Sequence, residues 1–336
     1  MRLLDARLDI YINCNYRCVF CGEPSNEKTP SIPLNALDKL FPILNKTCWS
    51  VFLSCGGEPL LHPQFEAVLK KAKEVLTKPD VSVVTNGFNL DEHKCKSIVL
   101  SGISRIFISV HTLNSKLYAE LTGTSENAIQ KVRSNVELLI KMRGNNKFPK
   151  IIITTIAMKK TLPFMHELVD WVVATGIDAL NVQWLLPDYN NEMKSEVVGF
   201  TSENKTLFDD LNKRLRKSKK HFYYPYVLGK EKYFSMIVDL LLIKNKINYL
   251  FFLIKKFIST RKKDGCRVIG NTIIVNHDLT AQLCHKYILS PINLESATPK
   301  SLIANLKRIS KEIDRSNHQE CTGCPYYNKN TKVKID

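Results

Sequence analysis

The chain has 336 residues, 44% hydrophobic, 24% charged and 9% aromatic, enough apolar material for one large domain and a smaller one. Its 13 glycines and 14 prolines exclude collagen-like and low-complexity classes, and 49 Lys and Arg against 32 Asp and Glu leave a net charge of +17 that favours anionic partners. Ten cysteines, with no apolar N-terminal run of signal-peptide length, point to a reducing compartment, the cytoplasm, where clustered thiols bind metal rather than pair.

The first expected strand, Leu8–Ile12, runs into CNYRCVFC, where Cys14, Cys18 and Cys21 form a C-x3-C-x2-C loop. A structural zinc site uses four closed ligands, commonly two short-spaced pairs. Three thiolates on one loop, with no fourth Cys or His at a similar distance, suit a [4Fe–4S] cube that leaves one iron open to a chelating ligand. Spacing alone leaves zinc open as well. A helix over Leu34–Leu44 leads to a strand at Ser50–Ser54, which ends in Cys55-Gly56-Gly57-Glu58-Pro59. Two glycines there let backbone approach a ligand closely, and Glu58 supplies an acceptor.

Helix Pro63–Leu76 precedes a strand at Val81–Thr85 that ends in Thr85-Asn86-Gly87. Helix Asp91–Leu100 precedes a strand at Arg105–Val110, ending in Ser109-Val110-His111. Helix Asn127–Met142, strand Lys150–Ile156, helix Pro163–Thr175 and strand Ala179–Trp184 complete the series. Six repeats of this rhythm imply parallel strands with right-handed crossovers. The fold class is therefore α/β, a partial (β/α)6 barrel with its site at the C-terminal ends of the strands, where the cysteine loop also lies. Cys48, Cys55 and Cys95 stand singly and read as small buried hydrophobes. Cys55, at a strand end, is also a candidate hydrogen donor, and His111 a candidate substrate contact.

These residues resemble the radical S-adenosylmethionine (SAM) superfamily. The spacing of Cys14, Cys18 and Cys21 matches its cluster signature, and Gly56-Gly57-Glu58-Pro59 its glycine-rich motif. The resemblance implies that Phe20 lies against the SAM adenine and that Gly56, Gly57, Glu58 and Pro59 bind the methionyl amino group. It further implies polar contacts from Asn86 and Ser109, adenine held at Val182-Gln183, and a counterpart for Leu121-Thr122-Gly123 after the fourth strand. It covers roughly residues 7–190. The implied activity is reductive cleavage of SAM to methionine and a 5′-deoxyadenosyl radical, with an electron donor such as flavodoxin or ferredoxin.

Residues 200–263 follow the barrel (1–199) as a basic, apolar-rich helical linker or insertion, LNKRLRKSKKH through KKFISTRKK. No uninterrupted apolar stretch there reaches the ~18 residues of a membrane span. Amphipathic helices packed on the barrel are expected, with peripheral membrane contact as the alternative; a nucleic-acid surface is not expected. Residues 264–336 hold Cys266, Cys284, Cys321 and Cys324 around a β-hairpin turning at Asn276-His277-Asp278. Ligand count alone admits zinc or a fully ligated [4Fe–4S] cluster. The hairpin between cysteines and the late CTGC resemble the SPASM and twitch auxiliary-cluster domains of radical SAM enzymes, which implies a second [4Fe–4S] cluster acting as an electron relay. A full SPASM domain carries seven cysteines; four suit one cluster, as in a radical SAM dehydrogenase of aminocyclitol biosynthesis.

The expected function is hydrogen abstraction from a small or carrier-linked, sugar-like, anionic molecule, oxidised with the auxiliary cluster as electron acceptor. The alternative is a SPASM-type maturase acting on a peptide or protein; the barrel's start within ten residues of Met1 argues against a leader-binding domain. A non-catalytic iron–sulfur or zinc protein is a third reading, and it requires the Gly56–Pro59 match to be accidental.

Overall fold

The computed structural model describes residues 3–21, 27–28, 30–54, 56–185, 191–199, 201–223, 265–266, 272–282, 292–315 and 327–328. The chain divides into two compact units. Met1–Ile12, Lys28–Ser82 and Ile243–Lys334 make the first; Asn13–Glu27, Val83–Leu242 and Ile335–Asp336 make the second.

In the first unit, strand β1 (Leu3–Leu8) pairs in parallel with β2 (Cys48–Leu53), Leu3 opposite Cys48 and Leu8 opposite Leu53. Helix α1 (Leu34–Thr47) crosses between them and α2 (Phe65–Val75) follows. Leu37, Leu40, Phe41 and Leu44 of α1 and Phe65, Val68, Leu69 and Ala72 of α2 are buried. That i, i+3, i+4 stripe is what gives each helix a face to pack. Strand β3 (Asp80–Thr85) begins in this unit and ends in the other.

C-terminal segments complete the first unit. Strand β8 (Gly265–Cys266) pairs antiparallel with β12 (Tyr327–Asn328), Cys266 opposite Tyr327. The expected hairpin is present as β9 (Thr272–Val275) and β10 (Thr280–Gln282), with β11 (Ile292–Asn293) beyond it. Its turn is closed by the Asp278 carboxylate, which accepts from the Thr280 N–H at 2.9 Å. Strand β9 also lies beside β1 in parallel, Asp5 opposite Thr272 and Leu8 opposite Val275. The hairpin thus shares a sheet with the first strand. Helix α8 (Pro299–Arg315) packs against α1.

In the second unit, β4 (Arg105–Ser109), β5 (Lys150–Ala157), β6 (Ala179–Trp184) and β7 (His221–Tyr223) run parallel in that order. Five helices serve them: α3 (Glu92–Ser101), α4 (Ser115–Thr122), α5 (Ala128–Arg143), α6 (Met165–Ala174) and α7 (Ser202–Lys217). Ile151, Ile152 and Ile153 are buried in succession, the unbroken apolar run of a strand covered on both faces. Below them, Asp178 pairs with Arg143 and with Lys150 at 2.8 Å, tying the end of α5 to the start of β5.

Three expectations change. The first strand is Leu3–Leu8, not Leu8–Ile12. Residues beyond Leu8 keep apolar character because they join another segment: the Ile12 N–H donates to the Pro30 carbonyl and the Ile32 N–H to the Ile10 carbonyl. Helix α4 was absent from the sequence reading; its eight residues are capped by Asn114, which accepts from the Leu117 N–H, and by left-handed Gly123. Residues 202–223, expected within a linker, form α7 and β7; Phe208, Leu211 and Leu215 of α7 are buried and the helix packs on α6. Residues 224–263 lie outside the described ones. Among the described residues, no helix is long and apolar enough to cross a membrane.

Candidate functional site

The site's motifs fall in the two units, and each half is a construction of its own. In the first unit, the chain leaves β2 through Ser54, whose φ of 144° few side-chain-bearing residues adopt. The Ser54 hydroxyl donates to the Gly57 carbonyl at 2.8 Å. A Cβ at Gly57 would stand 2.2 Å from the Tyr11 carbonyl oxygen and 2.6 Å from the Ile12 backbone, so only glycine fits. Glu58 is 2% exposed, and one carboxylate oxygen caps the short 3-10 turn Pro59–Leu61 by accepting from the Leu60 N–H at 3.0 Å. Its acceptor character is real and already in use. Sequence reasoning missed Asp9, whose carboxylate accepts from the Gly56 N–H at 2.6 Å. The available signal was a single charged residue within the otherwise apolar run Leu8–Ile12.

In the second unit, the cysteine loop has its backbone strapped. The Arg17 N–H donates to the Thr122 carbonyl at 2.9 Å and the Val19 N–H to the Leu121 carbonyl at 3.0 Å. The Arg17 guanidinium folds back onto the carbonyls of Cys14 and Tyr16, at 2.6 and 2.8 Å. Tyr16 is buried, its hydroxyl 3.2 Å from that of Tyr118 and its ring edge-on to Phe88. Asn86 donates to the Asn15 side chain at 2.9 Å and lies 3.8 Å from the Cys14 sulfur. Its amide therefore supports the loop.

Cys14 and Cys18 are half-buried and Cys21 is exposed; all three are free thiols. A hydrogen bond from Cys18 lowers the Cys21 thiol to about 7, and the same contact, with burial, pushes Cys18 up. Among the described residues, no three His, Cys, Asp or Glu side chains are already gathered to hold a metal ion. Three thiols on one loop, free of disulfides and of a closing fourth ligand, fit a cluster with one open iron better than a closed zinc site.

The remaining expected residues of this unit are dispersed over strand ends. Ser109 closes β4 and is half-buried; Gln183 on β6 is exposed, beside buried Val182. Phe20 packs against buried Leu121, Met158, Leu185 and Met193, with its ring 4.7 Å from that of His111. His111 is buried, and burial lowers its pKa to about 4. Its Nδ1 accepts from the Ile156 N–H at 3.3 Å, which fixes the neutral tautomer. Cys48 and Cys95 are fully buried, as expected of small hydrophobes.

Cys55, Cys284, Cys321 and Cys324 lie outside the described residues, and Cys266 is described through its backbone in β8. The pairing of Cys266 with Tyr327 sets its strand beside residues 327–328, which follow the CTGC motif in the sequence.

Residues 8–171 match the radical SAM superfamily. A probable GTP 3′,8-cyclase of Sulfolobus acidocaldarius is 26% identical over 222 residues, 64% of this chain and 68% of that protein. The GTP 3′,8-cyclase of Aquifex aeolicus is 30% identical over 126 residues, 36% of this chain and 39% of that protein. The match thus spans about two thirds of the first relative and well under half of the second. Among solved structures, SuiB of Streptococcus suis bound to its precursor peptide SuiA superposes over 96% of this chain and 69% of that one, with a TM-score of 0.71 at 15% identity. The enzyme anSMEcpe with bound AdoMet covers 96% of this chain and 87% of that one, with a TM-score of 0.64 at 16% identity. The likeness to these two structures is one of fold, an α/β fold with a parallel sheet.

Proposed function

We propose, from the match of residues 8–171 to the radical SAM superfamily, that the chain binds SAM on a [4Fe–4S] cluster and abstracts hydrogen from a small anionic molecule. Cys14, Cys18 and Cys21 hold the cluster; Gly56, Gly57, Glu58 and Pro59 meet the methionyl amino group. Phe20, Asn86, Ser109 and Gln183 line the remainder of the cofactor site. When bound, the cofactors supply a 5′-deoxyadenosyl radical that removes a hydrogen atom from substrate. The protein's share is placement and the exclusion of water. The Gly56–Gly57 backbone, bare of side chains, allows close approach, and Asn86 steadies the Cys14 end of the loop. Phe20 and His111 keep the loop's inner side apolar.

The reading is carried by the presence in one chain of three thiols outside disulfides on a strapped loop and, in the other unit, a glycine turn that admits no side chain. A small anionic substrate is supported by the net charge of +17 and by the relatives' printed name, which makes GTP their substrate. The four C-terminal cysteines, Cys266, Cys284, Cys321 and Cys324, are proposed to hold an auxiliary [4Fe–4S] cluster of the SPASM or twitch kind, which would accept an electron when substrate is oxidised. Flavodoxin or ferredoxin would supply the reducing electron in the cytoplasm. Peripheral membrane contact would fall to residues 224–263. A peptide substrate ranks second, since a structural likeness at 15% identity speaks for the fold alone.

Anaerobic reconstitution tests the reading. Iron and sulfide counts of about eight each per chain are expected, with release of 5′-deoxyadenosine under reduction. About four would remove the auxiliary cluster and leave zinc as the C-terminal metal. No 5′-deoxyadenosine from a cluster-loaded protein would overturn the radical SAM reading. Assays of nucleotides and sugar phosphates against peptides then separate the two substrate classes.

A further inference from the structure

We propose that Asp9 is a positioning residue for the cofactor turn: its buried carboxylate fixes the Gly56 amide and thereby sets where Gly57 and Glu58 meet the amino group of SAM. This rests on the reading of Gly56–Pro59 as the SAM-binding turn.

Asp9 follows the last residue of β1 and is 7% exposed. A carboxylate placed there loses most of its hydration, a cost that a strand end does not require. Its Oδ1 lies 2.6 Å from the Gly56 nitrogen, the length of a charge-assisted bond. A Cβ at Gly56 would stand 3.5 Å from Oδ2, so the carboxylate lies along the glycine in van der Waals contact. The backbone behind it is equally committed: the Asp9 N–H donates to the carbonyl of Val275, the last residue of β9, at 2.9 Å. Asp9 is thus anchored in the sheet at one end and bonded to the turn at the other.

The turn has no slack to absorb the loss of that bond. Gly57 already presses on the backbone of Tyr11 and Ile12, two and three residues beyond Asp9. Ser54 holds the Gly57 carbonyl and Glu58 caps Leu60, which leaves the Gly56 amide to Asp9. If that amide swings away, the backbone at Gly56 turns with it, and the groups expected to face the cofactor turn aside. The same geometry makes the C-terminal hairpin a support of the turn, through Val275.

Asp9→Ala and Asp9→Asn in the full-length, cluster-reconstituted protein test the assignment. For Asp9→Ala, amide exchange of the peptide containing Gly56 in SAM-free protein should quicken by about tenfold or more. The KM for SAM in 5′-deoxyadenosine release should rise about tenfold or more, with kcat within about twofold and iron content unchanged. Asp9→Asn keeps an acceptor oxygen without the charge, so both effects should shrink to about threefold. Wild-type exchange and KM in Asp9→Ala would overturn the proposal, as would Asn behaving no better than Ala. A joint fall of kcat and iron content would also overturn it, since that marks a merely structural role. Should the Ala variant not fold, unchanged Gly56 exchange in Asp9→Asn is the overturning result. A wild type that binds no SAM defeats the functional reading instead, while the exchange measurement still judges the Asp9–Gly56 contact.

Discussion

The glycine turn of the first unit and the cysteine loop of the second are built on opposite plans. The turn is committed backbone: Glu58 is 2% exposed, a side chain at Gly57 would meet the Tyr11 carbonyl, and three bonds from Asp9, Ser54 and Glu58 hold it. The loop differs, with its backbone strapped to Leu121 and Thr122 and its thiols only partly covered, Cys21 exposed and Cys14 and Cys18 half-buried. A surface that must meet a ligand's backbone-sized groups is finished by excluding side chains. A surface that must wrap inorganic atoms keeps its thiols out of disulfides, because the metal supplies the final geometry. One half is therefore shaped by the fold and the other is left for the cluster to close.

Gly57→Ala should break this contrast most forcefully. With no room between Gly57 and the Tyr11 and Ile12 backbone, the substitution should cost on the order of 4 kcal/mol or abolish folding. Cys14→Ser should remove the first cluster's iron while leaving the melting temperature of the iron-free protein nearly unchanged. Paired thermal melts and iron counts check both, and a stable Gly57→Ala protein with normal SAM affinity would dissolve the distinction.

The pH dependence comes next. His111 is neutral in the folded protein with its pKa lowered to about 4 by burial, against 6.5 when exposed. Its stability contribution is therefore complete above pH 6.5 and drains away as the pH falls toward 4, by roughly 3 kcal/mol in all. Denaturant unfolding between pH 7 and pH 4 should show that slope, and His111→Leu should flatten it. The packing under Phe20 would then be shown to depend on an uncharged ring, which sharpens the view of an apolar floor beneath the loop.

The smallest effect is expected at Gly123, which ends α4 with φ of 64°. Gly123→Ala would add left-handed strain and a contact of 2.8 Å to the Arg17 carbonyl, for a loss of about 2 kcal/mol. Faster amide exchange at Arg17 and Val19 should accompany it if the strap is what orders the loop. Unchanged exchange there would mean that the cysteine loop keeps its form by other bonds.

Much of this was visible in the residues. The alternation of strands and helices from Ser50 to Trp184 appears with its order intact, because period-2 and period-3.6 patterns are local and each element buries its own face. The cysteine loop and the glycine turn were equally plain, since their residues are neighbours in the chain. Helix α4 was not: eight residues carry little periodic signal, and its identity rests on the Asn114 cap and the Gly123 end. The shift of β1 to Leu3–Leu8 was hidden for another reason. Ile10 and Ile12 are apolar like strand residues, but they bond to Ile32 and Pro30.

The sequence by itself determined the chemistry on offer, three thiols on one loop and two adjacent glycines before a glutamate, because such motifs depend on covalent neighbours and survive any fold. Only the tertiary structure decided what steadies them. Asp9 is joined to Gly56 across the β1–β2 pairing, Arg17 and Val19 to the end of α4, and Thr272–Val275 to the first strand of the chain. These partners are far apart in sequence, and a hydrogen bond between them exists only once parallel pairing and helix packing have brought their backbones within about 3 Å.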